Sequence, residues 1–246
     1  MLCNNSSSHF VGVDGCHQGW IAVSLDKGGD ARCLVRRTIR EIWFELSPIE
    51  LMLIDIPIGL KEEVMEERRC DKEARKLLKQ PRSSSVFRVP CRQAVYMDLE
   101  EEARKVNKRV TNKGFSRQTW NIMRKIREVD EFLHENPDAR KRIREIHPEV
   151  LFYALNDDKP MKYNKKRQEG FRERVRILCD LDQNPIDLIE KASVEIPRSE
   201  AKKDDFLDAL AASITAWLYH DNLRSIPNER EEDPRHLPME MVIGGK

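Results

Sequence analysis

Phe10-Val11-Gly12-Val13-Asp14-Gly15 is the stretch whose reading decides the fold. Phe10, Val11 and Val13 favour extended backbone, and an apolar run this short, bounded by glycine, fits a buried strand better than a helix. Asp14 then falls where the strand leaves its sheet, and in open α/β sheets ligands gather at the carboxyl ends of strands. An isolated Asp-Gly is ordinarily a turn. A second run of the same kind changes that reading: Leu51-Met52-Leu53-Ile54-Asp55-Ile56-Pro57-Ile58-Gly59 reads as a buried, parallel-type strand closing on Asp55. A carboxylate in such apolar surroundings is costly without a partner or a metal.

Outward from these two runs, 21–26 and 31–35 read as strands joined by the Lys27-Gly28-Gly29-Asp30 turn. Thr38 is placed to cap a helix whose apolar residues Ile39, Ile42, Trp43 and Leu46 share one face. From 61 to 142 the pattern is mostly helical and strongly charged, with one or two helices expected over 62–80 and further helices over 93–109 and 122–133. Pro81 to Pro90 is expected to be a loop, and its Ser84 and Ser85, set among arginines, suit a phosphate. Basic residues interleave with Phe115 and Trp120, a pattern that serves nucleic acid by charge plus stacking, or simply a solvated helix face with core aromatics. Ile143 to Glu149 reads as a short strand stopped by Pro148, with Glu149 just past its end. Helices are expected from 150, over 168–179 and from Asn184 to about Lys191, with a loop over 159–166. The tail 226–238 reads as loop, and 239–243 as a late strand.

Lys202-Lys203-Asp204-Asp205-Phe206-Leu207-Asp208-Ala209-Leu210 opens a last helix running to about Tyr219. Asp204 and Asp205 lie in its first turn, where the helix dipole tolerates anions. Residues three or four apart share a helix face, so Asp208 stands with Asp205 or with Asp204. Dipole and capping explain an acidic helix start, but they do not explain an acid at 208 among Phe206, Leu207, Ala209 and Leu210.

The 246 residues carry 44 basic and 43 acidic side chains, a net charge of +1, so any anionic partner must be held by local patches rather than by a global field. No apolar run reaches the length of a membrane span, and the start lacks the basic and apolar regions of a signal peptide. Residues 1–9 read as a flexible polar leader and 10–246 as one domain. Six scattered cysteines offer neither zinc spacing nor a disulfide framework. These features point to a soluble protein of a reducing, cytoplasmic or nuclear setting.

Taken together, three strands, a helix, a strand, a helical insert, a strand and a final acidic helix follow the element order of the ribonuclease-H-like fold. That fold is an α/β arrangement: a five-stranded mixed sheet flanked by helices, with the first strand central and the first and fourth strands adjacent. The insert here falls between the fourth and fifth strands. Asp14 and Asp55 would then face each other, and clustered oxygens of this kind suit two Mg²⁺ or Mn²⁺ ions. Such a pair serves phosphodiester cleavage.

The chain also resembles the family known as domain of unknown function four-two-nine, described as predicted RNase-H-like nucleases. The resemblance rests on Gly12-Val13-Asp14-Gly15 with Gly19-Trp20, Asp55-Ile56-Pro57-Ile58-Gly59-Leu60, Arg69-Cys70-Asp71 with Ala74-Arg75, and Ser85-Val86-Phe87 with Pro90. It continues through Lys125-Ile126-Arg127-Glu128-Val129-Asp130, His147-Pro148-Glu149, and Asp204-Asp205 with Asp208-Ala209. Its implied roles are Asp14, Asp55, Asp205 and Asp208 as metal ligands, and Glu149 as a further ligand or general base. Arg69, Arg75, Ser84, Ser85 and Lys125 would meet the phosphate of a nucleic-acid or nucleotide substrate. The rivals are an actin-like or sugar-kinase-type phosphotransferase or ATPase, which should show a second copy of the core, and a nucleic-acid-binding protein without catalysis.

Overall fold

Strand β1 (His9–Cys16) lies at the centre of the main sheet in a computed structural model that describes residues 8–181, 197 and 199–245. Most of the expected leader, residues 1–7, and the helix expected from Asn184 to Lys191 lie outside the described residues; His9, assigned to that leader, already belongs to β1. The chain continues through β2 (Gly19–Leu25), β3 (Ala31–Arg36), α1 (Ile39–Leu46) and β4 (Ile49–Ile54). The helices α2 (Arg69–Arg82), α3 (Arg92–Val95), α4 (Glu100–Thr111), α5 (Arg117–Glu135) and α6 (Pro137–Arg142) come next, before β5 (Ile143–Glu145). Then follow α7 (Pro148–Leu155), α8 (Gln168–Cys179), α9 (Lys203–Tyr219) and a hairpin of β6 (Leu223–Glu232) and β7 (Pro238–Gly244).

The result is an α/β protein with a five-stranded mixed sheet in the order β3-β2-β1-β4-β5, flanked by helices. β1 pairs with β2, and β2 with β3, antiparallel; β4 pairs parallel with β1 and with β5. Side chains alternate between the two faces, as the pleat requires. Val11, Val13, Met52 and Ile54 pack with Ile42 of α1 and Ile126 and Val129 of α5. Phe10, Leu51 and Leu53 pack on the other face with Leu207, Leu210 and Ile214 of α9. Asp14 and Asp55 share the parity of this second set, so both carboxylates leave the sheet on the α9 side.

Helix α9 is buried along nearly its whole length from Phe206 to Ala216, which accounts for a composition apolar on every side. It lies so close to β1 that a Cβ at position 12 would overlap the Ala209 carbonyl oxygen and the Ser213 backbone nitrogen. Gly12 is therefore there for space, and Ser213 Oγ donates to the Phe10 carbonyl at 3.1 Å across the same contact. This approach brings Asp208 towards the strand ends.

Several expected elements shift. Helix α2 starts at Arg69, not 62, and kinks at Lys79 and Gln80 just ahead of Pro81, whose ring cannot continue the ladder. The helix expected over 93–109 is two, α3 and α4. Residues 226–232 of the tail expected as loop belong to strand β6, which pairs with β7 in a separate two-stranded sheet, and only 233–237 form the turn between them. Glu149, just past the end of β5, sits in the first turn of α7, which starts at Pro148 rather than at 150. Among the described residues, no helix is long and apolar enough to cross a membrane.

Candidate active site

The parallel register of β1 and β4 sets Val13 beside Ile54, and Asp55 N donates to Val13 O at 2.9 Å, one step further on. Asp14 and Asp55 therefore emerge side by side at the carboxyl edge of the sheet. Asp14 is buried, and its Oδ1 accepts from Gly15 N at 2.6 Å. Asp208 comes from the facing turn of α9 and is 1 % exposed. Glu149, 8 % exposed, arrives from α7.

The charges are mutually felt. Burial holds the Asp14 carboxyl well above the ordinary carboxylate range, reinforced by Asp55 and Asp208 and opposed by Lys165. Burial pushes Asp55 up to about 7, with Lys165 pulling the other way and Asp208 adding to the rise. Asp208 is raised by burial against the pull of Lys165. Lys165 is raised in turn: burial works against its ammonium, but Asp208, Asp14 and Asp55 outweigh it.

Lys165 and Arg174 are the members of this group that sequence reasoning missed. Lys165 Nζ donates to Asp208 Oδ2 at 2.5 Å, and Arg174 Nη2 donates to Glu149 Oε1 at 2.5 Å. Each acid keeps its other oxygen buried and without a hydrogen-bond partner: Asp208 Oδ1 and Glu149 Oε2. Buried carboxylate oxygens are ordinarily satisfied, so the two orphans mark where a further donor or a cation fits.

Asp14, Asp55, Glu149 and Lys165 line one open cleft of about 570 Å³, within the range of small-ligand sites. Ser84, Ser85 and Lys125 line it too. Lys125 reaches it from α5; its Nζ donates to the Gly19 carbonyl and lies 4.5 Å from the centre of the Trp20 ring. Burial lowers its pKa. Ser84 and Ser85 donate to the carbonyls of Pro81 and Arg82 at 2.9 and 2.8 Å, which fixes the turn they sit on. His147, at the cleft wall, is pushed down to about 4 by burial and so stays neutral.

Other expected residues stand elsewhere. Asp205 Oδ2 accepts from Lys202 N at 3.0 Å, the work of a helix cap, while burial raises its carboxyl and its charge still reaches Asp14. Asp204 is likewise in the first turn. Arg69 and Arg75 lie outside the cleft lining. Arg69 is exposed, and Arg75 donates to the Val86 carbonyl at 3.1 Å and pairs with Glu67. The buried arginine of that motif is Arg68, 2.6 Å from both Asp71 Oδ1 and Glu145 Oε1. Phe115 stacks under Arg104 and packs, with Trp120, against the core.

Among the described residues, the trio whose ligand atoms lie within 4.8 Å of one another is Cys70, Asp71 and Glu145. The Arg68 guanidinium already supplies the cation there, and burial raises the Cys70 thiol, which keeps it a poor ligand. The strand-end carboxylates are more widely spread and hold Lys165 in their midst electrostatically.

A mixed five-stranded α/β sheet with a carboxylate cleft at its strand ends defines the general class. The chain belongs to the family described as Protein of unknown function (DUF429), whose family model matches residues 12–232. No curated protein and no solved structure matches the chain.

Proposed function

We propose that this protein is a divalent-metal-dependent nuclease of ribonuclease-H-like fold, hydrolysing phosphodiester bonds in the cleft above β1 and β4. The observation that carries the reading is the β1–β4 register, which sets Asp14 beside Asp55 with Asp208 facing them from α9. The strand order, with β1 central and β2 alone running against the other four strands of the main sheet, supports the fold assignment.

The donor set fits a hard cation: the acids are all carboxylates, and two of their buried oxygens are unpartnered. Asp14 and Asp55 would hold Mg²⁺ or Mn²⁺, with Asp208 and Glu149 at its flank. When bound, such an ion supplies positive charge to the phosphoryl group and acidifies water. The chain's own residues bind and orient the substrate. Lys125, whose side chain lies against Gly15, offers an ammonium to a phosphate beside Asp14, and the fixed Ser84–Ser85 turn adds short hydroxyls to the same cleft lining. Phe87 and Ile122 give an apolar wall for a base. Near-neutral net charge suits a short end or a structured nucleic acid rather than tight nonspecific coating.

The test is a cleavage panel with Mn²⁺ or Mg²⁺ on single-stranded, duplex, hybrid and branched DNA and RNA. Cleavage should fall roughly a hundredfold or more in Asp14→Asn, the scale on which losing one electrostatic group acts, and should vanish in chelator. Cleavage indifferent to both, or ATP hydrolysis without any phosphodiester cleavage, would overturn the reading.

A further inference from the structure

Four buried or half-buried carboxylates meet at the cleft, with Asp14, Asp55 and Glu149 in its lining and Asp208 behind Lys165, and two of them already have a bonded cation from the same stretch of chain. Lys165 serves Asp208, and Arg174, nearly ten residues on, serves Glu149. Asp14 and Asp55 have no basic hydrogen-bonding partner among the described residues. Four negative charges against two bonded positive ones leave the charge that one divalent ion cancels.

Lys165 is not a loose surface lysine. Its loop is held to α8 by Glu173, which accepts from Lys162 N at 2.9 Å and from Tyr163 N at 3.0 Å. On the other side, Arg82 donates to the Met161 carbonyl at 2.8 Å and the Lys162 carbonyl at 3.0 Å. Gly170 lets α8 close on this loop, since a Cβ there would overlap the Asn164 carbonyl. The ammonium is thus delivered to Asp208 by a braced segment, and an ordered cation at a carboxylate is what a second metal ion would otherwise supply.

We infer that Lys165 occupies the position of a second metal ion, so that the cleft takes one divalent cation, on Asp14 and Asp55, beside a fixed ammonium on Asp208. The inference rests on the metal-dependent reading of the same carboxylates. It makes Lys165 the group that neutralises the Asp208 side of the substrate phosphate, and it leaves Asp208 holding the lysine rather than the ion.

Counting bound Mn²⁺ by titration calorimetry and electron paramagnetic resonance tests this without any turnover. The native protein should bind one ion. Lys165→Met, checked for folding by circular dichroism, should bind two, and Lys165→Arg, which keeps the charge, should stay at one. Two ions on the native protein overturn the inference and leave the nuclease reading standing; this count decides even if Lys165→Met does not fold. One ion on a folded Lys165→Met with unchanged affinity also overturns it. No ion on the native protein overturns both the inference and the metal-dependent reading.

Discussion

Asp55 leaves β4 with its backbone nitrogen bonded to Val13 O, so the direction of its carboxyl is set by the sheet itself. Burial, assisted by Asp208 and Glu145, pushes that carboxyl up to about 7 in the folded protein against an ordinary value of 3.8. The folded chain therefore holds a proton that the unfolded chain has already lost. This group's contribution to stability is fully present below the ordinary value and is lost as pH rises through about 7. Asp55→Asn removes the titration, so its melting temperature relative to the native protein, without metal, should climb between about pH 4 and pH 7. The full effect is on the order of 4 kcal/mol at most, because neighbouring carboxylates share the same protons. A flat difference across that range would refute the account. Asp14, Asp55 and Asp208 were legible in the sequence because an acid inside an apolar run is a local anomaly. Lys165 was not: it sits beside Lys166 in a polar loop, and only the folded chain turns one of the two towards Asp208. Arg68 and Arg69 were likewise indistinguishable as neighbours, and the one that folding buries is the one the motif reading passed over.

At the scale of elements, the site depends on how closely α9 rides on β1. Gly12→Ala places a methyl against the Ala209 carbonyl and the Ser213 nitrogen, both backbone atoms with little freedom to retreat. Overpacking of this kind costs about 1–3 kcal/mol, and urea denaturation should show a loss at or above that range. The same variant, where folded, should lose metal-dependent cleavage, since the displaced helix carries Asp208 and the Lys165 ammonium it holds away from the Asp14–Asp55 pair. A neutral effect on both would mean that the helix position is not what assembles the site. The strands that end in Asp14 and Asp55, the capped helix α1 and the acidic helix α9 could all be read from period and capping. Strand β6 could not: Pro227 and the charged run from Glu229 to Glu232 hide its alternation, and the register itself shifts between Ile226 and Glu231. The charged residues 62–68 have a composition that suits a helix, yet α2 begins only at Arg69, after an extended and buried Arg68.

Across the whole molecule, the helices between β4 and β5 are joined to the sheet by two buried arginines. Arg92 of α3 pairs with Asp130 of α5 and with Asp233 from the turn between β6 and β7, and Asp233 Oδ2 also accepts from Leu60 N at 2.9 Å. Arg92→Met would leave two buried carboxylates without their cation, a change that costs about 3–5 kcal/mol. Equilibrium unfolding should report it as a shift of the entire transition, because the residue touches elements from three parts of the chain. A loss under about 1 kcal/mol would show that these helices are held chiefly by their apolar faces. The second arginine, Arg68, donates to the Ile58 carbonyl at 3.0 Å and to Glu145, which itself accepts from Ile58 N at 2.7 Å. The turn that follows Asp55 is thus fastened at Ile58 from one side and at Leu60 from the other. In the terms used for charge transfer, the dipoles around that carboxylate have almost no reorganisation left to undergo. If the cleft acts as proposed, folding completes the solvation response that bulk water would have to supply anew at every turnover, and the substrate is the partner left to move.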